Sequence, residues 1–375
     1  MTDVSEVSIQ LNQESQDGGE LVLVTGNFPI DNAVLQALPA GVKAISTETY
    51  GSSAWTFTGK INAKKDDGSD TFFFLKTAIG DEGSVMLRGE FESSKIIHTI
   101  KPHLIPEPIA FGQYEQATSP TFFFLSEFVD METESAPDPD QLGRKLAELH
   151  KESQKTTGKF GFHVQTCDGR MPHNVDWQDN WPTFFGNLLK GIYKIDAKVN
   201  GHWPEFERAT DQIINKVVPR LLGGLTNDGK PIMPCILHGD LWEPNIGKRK
   251  NTGELILFDA SSFWGHNEMD LGLWRANFCQ HLRPNLETYV ESYLRHFPAA
   301  GPEEEFYDRN RLYSLKATIN YSAGHPGSIT RHTAYNNMCY LCEKYAPIEG
   351  IDKYDPALDP IVSGLGLLPD FEKKD

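Results

Sequence analysis

Ile236-Leu237-His238-Gly239-Asp240-Leu241-Trp242-Glu243-Pro244-Asn245 is a short apolar approach to a His-Gly-Asp turn, with an Asn five residues beyond the Asp. A second apolar run, Glu254-Leu255-Ile256-Leu257-Phe258-Asp259, ends on another Asp nineteen positions after the first. Nineteen residues suffice for one hairpin, so both carboxylates can face the same side. Phosphoryl transfer from a metal nucleotide needs this set of groups. One carboxylate orients the attacking hydroxyl and takes its proton, while an Asn and a second carboxylate hold Mg²⁺ against the phosphates. Asp240 therefore reads as the base, Asn245 and Asp259 as metal ligands, and ATP and Mg²⁺ as the cofactors. A lone Asp-x-x-x-x-Asn is common by chance; the two apolar runs and the second Asp make the set specific.

Working outward, the N-terminal side reads as strands. Val42–Thr49, Ala54–Ala63 and Thr71–Ala78 are candidates, with Asp66-Asp67-Gly68-Ser69 as the turn between the last two. Gly51-Ser52-Ser53, between the first two, is small enough for its amides to approach a phosphate. Phe72-Phe73-Phe74-Leu75-Lys76 closes a run apolar enough to be buried, and a buried ammonium needs an anionic partner. The helical pattern over 84–100 offers Glu90 or Glu92. A strand over Thr121–Val129 places the backbone of Glu127, Phe128 and Val129 where an adenine edge can be hydrogen-bonded. The Pro-, Glu- and Asp-rich segment after it has the composition of a linker.

From Pro139 the chain turns helical, with Leu142, Leu146 and Leu149 at helical spacing. Further helices are expected over 181–193, 205–222, 268–278, 286–297, 303–321 and 329–345. Between them, Phe160–Trp181 mixes aromatics with polar groups in a Gly- and Pro-punctuated loop. The expected organisation is an arm at 1–20, a β-rich lobe at 21–129, a hinge at 130–140 and an α-rich lobe at 141–375, an α+β chain with two lobes.

The chain has 375 residues and a formal charge of −17. That excess of acid argues against nucleic acid or an anionic membrane as a partner and suits a small or cationic one. The polar, acidic N-terminus shows no secretory signal, and no apolar run is long enough to span a bilayer, so a soluble, cytoplasmic protein is expected. Five cysteines without framework spacing fit a reducing compartment. Oligomeric state is left open, with a monomer slightly favoured.

His238-Gly239-Asp240-Leu241-Trp242 with Asn245, Phe160-Gly161-Phe162-His163 and Asn174–Trp181 together resemble the fructosamine kinase (ketosamine-3-kinase) family, in the aminoglycoside-phosphotransferase-like branch of the protein-kinase-like fold. The resemblance runs from about residue 43 to about residue 345. It implies transfer of the ATP γ-phosphate to the 3-hydroxyl of a ketosamine, such as a fructosamine or ribulosamine on a free amine or a glycated protein, followed by loss of the adduct. It also implies that Lys76 contacts phosphate and pairs with Glu90, Glu92 remaining open, and that Gly51, Ser52 and Ser53 form the phosphate turn. Glu127, Phe128 and Val129 become the adenine hinge. Trp242 becomes a sugar contact, with His238, Asp176 and Trp177 as further acceptor-site candidates.

The chain departs from the family pattern in several places. Glu243-Pro244 stands where two glycines are common, the metal loop reads Asp259-Ala260-Ser261, the phosphate turn lacks a cysteine, and Asn320–His325 replaces an aromatic- and His-rich acceptor motif. These changes touch the acceptor, so a phosphotransferase acting on another sugar, an aminoglycoside or a small alcohol is the alternative. A pseudokinase is disfavoured by the retention of Lys76, Asp240, Asn245 and Asp259.

Overall fold

Hydrophobic alternation in the first third of the chain builds one seven-stranded sheet. The structure, a computed structural model, describes residues 11–13, 22–154 and 157–367. It divides into two compact units, Met1–Asp130 and Met131–Asp375. The expected arm at 1–20 lies outside the described residues except for Leu11–Gln13, which forms a strand.

In the first unit the elements are β1 (Leu11–Gln13), β2 (Val22–Gly26), α1 (Asn32–Gln36), β3 (Val42–Thr49), β4 (Phe57–Lys65), β5 (Asp70–Ile79), α2 (Gly80–Ile100), β6 (Pro108–Gln113) and β7 (Thr121–Glu127). The sheet order is β1-β2-β3-β4-β5-β7-β6, antiparallel except for β2 beside β3. Asp31 starts α1 by accepting from Ala33 N at 2.9 Å, and it also binds the amides of Glu115 and Gln116. The two sheet faces have different cores. Phe28, Val34, Ile61, Phe73, Leu75 and Leu125 pack on the α1 side, while Ala78, Leu87 and Phe124 pack on the α2 side. Lys76 alternates onto the second face with Ala78.

One strand starts later than its sequence suggests. β4 begins at Phe57 rather than Ala54, because the Ser53 hydroxyl takes Trp55 N, Thr56 N and the Thr56 hydroxyl, offering this segment a local turn in place of a ladder.

The second unit contains β8 (Met131–Glu132), α3 (Pro139–Ser153), β9 (Cys167–Asp168), β10 (Met171–Pro172), α4 (Trp181–Asn200), α5 (Pro204–Gln212), α6 (Val218–Leu222), β11 (Thr226–Asn227), β12 (Lys230–Pro231), β13 (Cys235–Ile236), β14 (Ile246–Arg249), β15 (Leu255–Leu257), β16 (Trp264–Gly265), α7 (Met269–Gly272), α8 (Leu286–His296), α9 (Phe306–Gly324), α10 (Thr330–Tyr345) and α11 (Pro360–Ser363). Asp138 and Asn180 cap α3 and α4, each followed by a proline in the first turn. The helix expected over 205–222 is continuous, with a π-turn at Ile213–Val217 joining α5 to α6. The helix expected over 268–278 is not. α7 is four residues long and gives way to a 3₁₀ turn at Leu273–Arg275. Side chains take its carbonyls instead, with Asn310 Nδ2 on Leu271 O and Cys279 Sγ on Leu273 O.

At the centre of this unit α9 is buried nearly all round, polar residues included. Trp181 Nε1 donates to the Tyr313 hydroxyl at 2.9 Å, and that hydroxyl also meets His266 Nδ1 at 2.8 Å. His150, at the end of α3, is fully buried between the Tyr293 hydroxyl and Asp270. All five cysteines are free.

Candidate active site

In the first unit Lys76 lies inside β5, three residues before its end, and meets a carboxylate of α2. Lys76 Nζ lies 2.7 Å from Glu90 Oε1, and both side chains are largely buried. Glu90 stands in α2, which packs on the same sheet face. On this face Tyr50, Phe72 and Phe128 cluster, Tyr50 and Phe128 edge to face at 4.9 Å, with Lys60 Nζ 4.6 Å from the Phe72 and Phe128 ring centres.

The Gly51-Ser52-Ser53 turn between β3 and β4 is exposed, and Gly51 has φ +74°, a left-handed backbone that suits glycine. Glu127 N and Phe128 N are already bonded, to Glu107 O at 2.8 Å and Phe72 O at 3.2 Å. Of the three residues expected at the adenine edge, Val129 is the one whose amide has no hydrogen bond among the described residues. A cavity of about 730 Å³ shares the Gly51–Ser53 turn but is lined by Phe28, Thr77 and Tyr114 on the α1 side. Lys76 is not one of its walls.

In the second unit the motif that opened the sequence forms two interlocked loops. β13 delivers His238-Gly239-Asp240, β14 pairs with β15, and β15 delivers Asp259. Leu237 N donates to Phe263 O, Ser261 N to His238 O and Phe258 N to Asn245 O, so each loop holds the other. Gly239 has φ +87°, and a Cβ there would stand 2.0 Å from Ser261 O. No other residue fits this crossing. Asp270 accepts from His238 N at 2.8 Å and Gly239 N at 2.9 Å. Asp259 has φ +58°, a conformation Asp tolerates better than most.

Asn245 Nδ2 donates to the Asp240 carbonyl at 2.8 Å and to Asp240 Oδ2 at 3.0 Å. That assignment turns the amide oxygen of Asn245 away from Asp240 as an acceptor. The Asp240 carboxyl is pushed up to about 8, first by burial and then by the negative charge of Asp168, with Asp259 adding less; Lys316 and Asn245 work against these. The negative charges of Asp168 and Asp259 thus both oppose ionisation of Asp240. A divalent cation fits this donor set, since it would supply the missing positive charge through hard oxygen ligands. Among the described residues no cluster of three or more His, Cys, Asp or Glu could hold a metal unaided.

His238, an acceptor-site candidate in the sequence, has a different place. It is fully buried, with Nε2 3.0 Å from Phe258 O, and burial lowers its basicity. A ring with no accessible surface cannot touch an acceptor; it ties the Asp240 loop to the residue before Asp259. Trp242 is half-buried and meets Phe278 edge to face at 5.2 Å. Phe278 stacks on Tyr321 at 4.5 Å and Tyr321 on His325 at 4.0 Å. The divergent Asn320–His325 segment thus extends an aromatic row from Trp242. Another departure, Glu243, accepts from His281 N and Leu282 N at 2.7 Å each, fixing the turn beyond Phe278.

Asp176 and Trp177 are exposed, on a segment hydrogen-bonded to Phe160 and Phe162. Gly161 bonds in turn with Trp264, which pairs with Ile236. The aromatic loop is therefore fixed to the strand that leads to Asp240.

Three residues escaped the sequence reading. Lys316 Nζ, from the middle of α9, contacts Asp168 Oδ2 and donates to Gly239 O at 2.7 Å. His173 Nε2 stands 3.4 Å from Asp168 Oδ1. Burial opposes ionisation of Asp168, yet Lys316 and then His173 hold its carboxyl well below the usual range. Burial also lowers the basicity of His173. One signal was present: Lys316 is the sole Asp, Glu, Lys or Arg between Arg311 and Arg331.

The fructosamine kinase family model matches residues 46–337. A chloroplastic protein-ribulosamine 3-kinase of Arabidopsis thaliana is 30% identical over 252 residues, 66% of this chain and 70% of that protein. The ketosamine-3-kinase of Mus musculus is 29% identical over 288 residues, 71% of this chain and 86% of its own. Among solved structures, a Thermobifida fusca protein assigned the name fructosamine-3-kinase superposes with TM-score 0.64 at 19% identity, covering 83% of this chain and 98% of that one. The aminoglycoside phosphotransferase APH(4)-Ia, in ternary complex with AMP-PNP and hygromycin B, superposes with TM-score 0.53 at 12% identity, covering 80% and 94%. The fold is that of the protein-kinase-like phosphotransferases, a sheet-rich region followed by a helical one. No helix among the described residues is long and apolar enough to cross a membrane.

Proposed function

The chain belongs to the fructosamine kinase family, and we propose that it is an ATP-dependent kinase acting on the 3-hydroxyl of ketosamines, fructosamines or ribulosamines, so that the unstable phosphate ester sheds the sugar from the amine. One observation carries the reading. The base motif, its Asn and the second Asp form a single stitched loop pair with an aromatic side chain, Trp242, two residues from the base. Asp240 would accept the proton of the sugar hydroxyl and fix its oxygen for attack on the γ-phosphorus. The rise in its basicity suits that task.

Lys76, held by Glu90, would contact the ATP phosphates, with the Gly51-Ser52-Ser53 amides beside them. The hinge around Val129 would take the adenine edge. Asn245 and Asp259 would hold Mg²⁺, which when bound offsets the charge of the phosphates. Trp242 would cover one sugar face, and Asp176 and Trp177 remain candidates for the amine-bearing end.

The test is an acceptor panel. Purified protein with ATP and Mg²⁺ should phosphorylate fructosyl-lysine or ribulosyl-lysine and leave unglycated sugars, aminoglycosides and small alcohols untouched. Turnover restricted to one of the latter would transfer the assignment to a different acceptor, and ATP binding without transfer to any acceptor would make the chain a pseudokinase.

A further inference from the structure

A buried ammonium beside a catalytic loop needs a reason, because removing its charge from water is costly. Lys316 is 3% exposed and lies mid-helix in α9, far in sequence from the motif it meets. It has two partners of different kinds. The Asp168 carboxylate, on the β9–β10 hairpin, balances its charge. The second partner is the Gly239 carbonyl, and this contact has a directional consequence.

Gly239 O and the amide nitrogen of Asp240 belong to the same planar peptide unit. On the other side of Gly239, its own amide is bound to Asp270, and a Cβ on it would stand 2.0 Å from Ser261 O, so the backbone here has no room for a side chain. Fixing the carbonyl therefore fixes the plane from which the Asp240 side chain departs. Without Lys316 that carbonyl loses the only side-chain donor bonded to it among the described residues.

We propose that Lys316, seated by Asp168 and His173, is the positioning residue of the catalytic loop, holding the Gly239–Asp240 peptide in the orientation that aims the Asp240 carboxylate at the acceptor hydroxyl. The proposal rests on Asp240 being the base of the reaction proposed above. His173 closes the arrangement, standing 3.4 Å from Asp168 on one edge and 3.4 Å from the hydroxyls of Thr166 and Ser261 on the other. The hairpin of Asp168, the loop of Ser261 and α9 thereby converge on one peptide.

Positioning predicts a kinetic signature that general destabilisation does not. In Lys316→Met, kcat falls on the order of 10²-fold, the effect of an ångström-scale misplacement of a reacting group, while KM for ATP stays within twofold. Lys316→Arg, which can still donate to both partners, recovers most of the rate. Because Lys316→Met alone leaves the buried Asp168 carboxylate without its ammonium, the deciding variant is the neutral pair Asp168→Asn with Lys316→Met, its folding verified by Tm. It is expected to fold and still to show the kcat loss. A neutral-pair enzyme with kcat within twofold of wild type overturns the proposal.

Amide hydrogen exchange provides a readout independent of acceptor. In the neutral pair, a peptide covering 236–245 should lose protection while 181–200 does not; unchanged exchange at 236–245 also overturns it. If the wild type phosphorylates no ketosamine, the proposed function fails by itself and the exchange arm still decides on Lys316.

Discussion

Lys76 and Lys316 are both buried lysines paired with a carboxylate, one in each unit, and they differ in how they came to be buried. Lys76 lies inside β5 just after three phenylalanines and a leucine, so the sheet takes it inside and α2 brings Glu90 to it. Lys316 lies in a helix whose buried residues include Arg309, Asn310, Arg311, Ser314, Thr318 and Asn320. Nothing in a 3.6-residue period marks it, because this helix has no polar face. The first lysine is held by the element next in sequence; the second by a hairpin 148 residues upstream. A local pair suits a ligand contact that requires a fixed charge, whereas a long-range pair ties several loops to one catalytic peptide.

Experiments can break or sharpen this contrast. The largest effect belongs to Asp240, which Lys316 is proposed to orient. Asp240→Asn should cost about 10³-fold or more in kcat, within the range for loss of a general base, with nucleotide affinity retained. The same variant should raise Tm at pH 7–8. The folded Asp240 carboxyl titrates above its unfolded value, so its ionised form opposes folding increasingly as pH rises from the ordinary carboxylate range to about 8. A near-normal rate would remove Asp240 from the base role, and a lowered Tm would show that its charge is compensated.

Lys76→Met comes next. Loss of one preorganised phosphate contact should lower kcat/KM for ATP by about 10²-fold, with KM for ATP raised. Steady-state kinetics in ATP would then separate the two lysines, Lys76 through KM and Lys316 through kcat. Identical signatures would collapse the comparison.

The smallest effect is on stability in mild acid. Burial holds His173, His238 and His266, all in the second unit, below the ordinary histidine value. Their neutral forms favour folding, and that contribution is lost as pH falls below about 6.5, the ordinary histidine value. Hydrogen exchange at pH 5 against pH 7 should show protection falling in 131–367 before 22–130. Equal loss in both would mean that the histidines do not set the order.

Local chemistry explains what could be read directly. β3 was legible as a strand run, the helix from Pro139 from the spacing of Leu142, Leu146 and Leu149, and the Asp66–Ser69 turn from its residue types. Asn245 beside Asp240 followed from five-residue spacing on one loop. Where a side chain competes with the backbone, the pattern misled: Ser53 delayed β4, and Asn310 and Cys279 cut α7 short. His238 shows the same limit in the site, since a residue inside a motif was taken for a ligand contact and is instead a buried tie.

The sequence by itself determined the chemistry of the motif and the order of its elements, because strand runs, caps and turn residues act over a few positions. The tertiary structure alone decided that Glu90 meets Lys76, that Glu243 caps the 281–282 amides, and that Lys316 and Asp168 close on Gly239. The physical reason is that a buried charge has a fixed meaning only once its counter-charge is placed. In the second unit that counter-charge arrives from distant parts of the chain, through packing that no local period encodes.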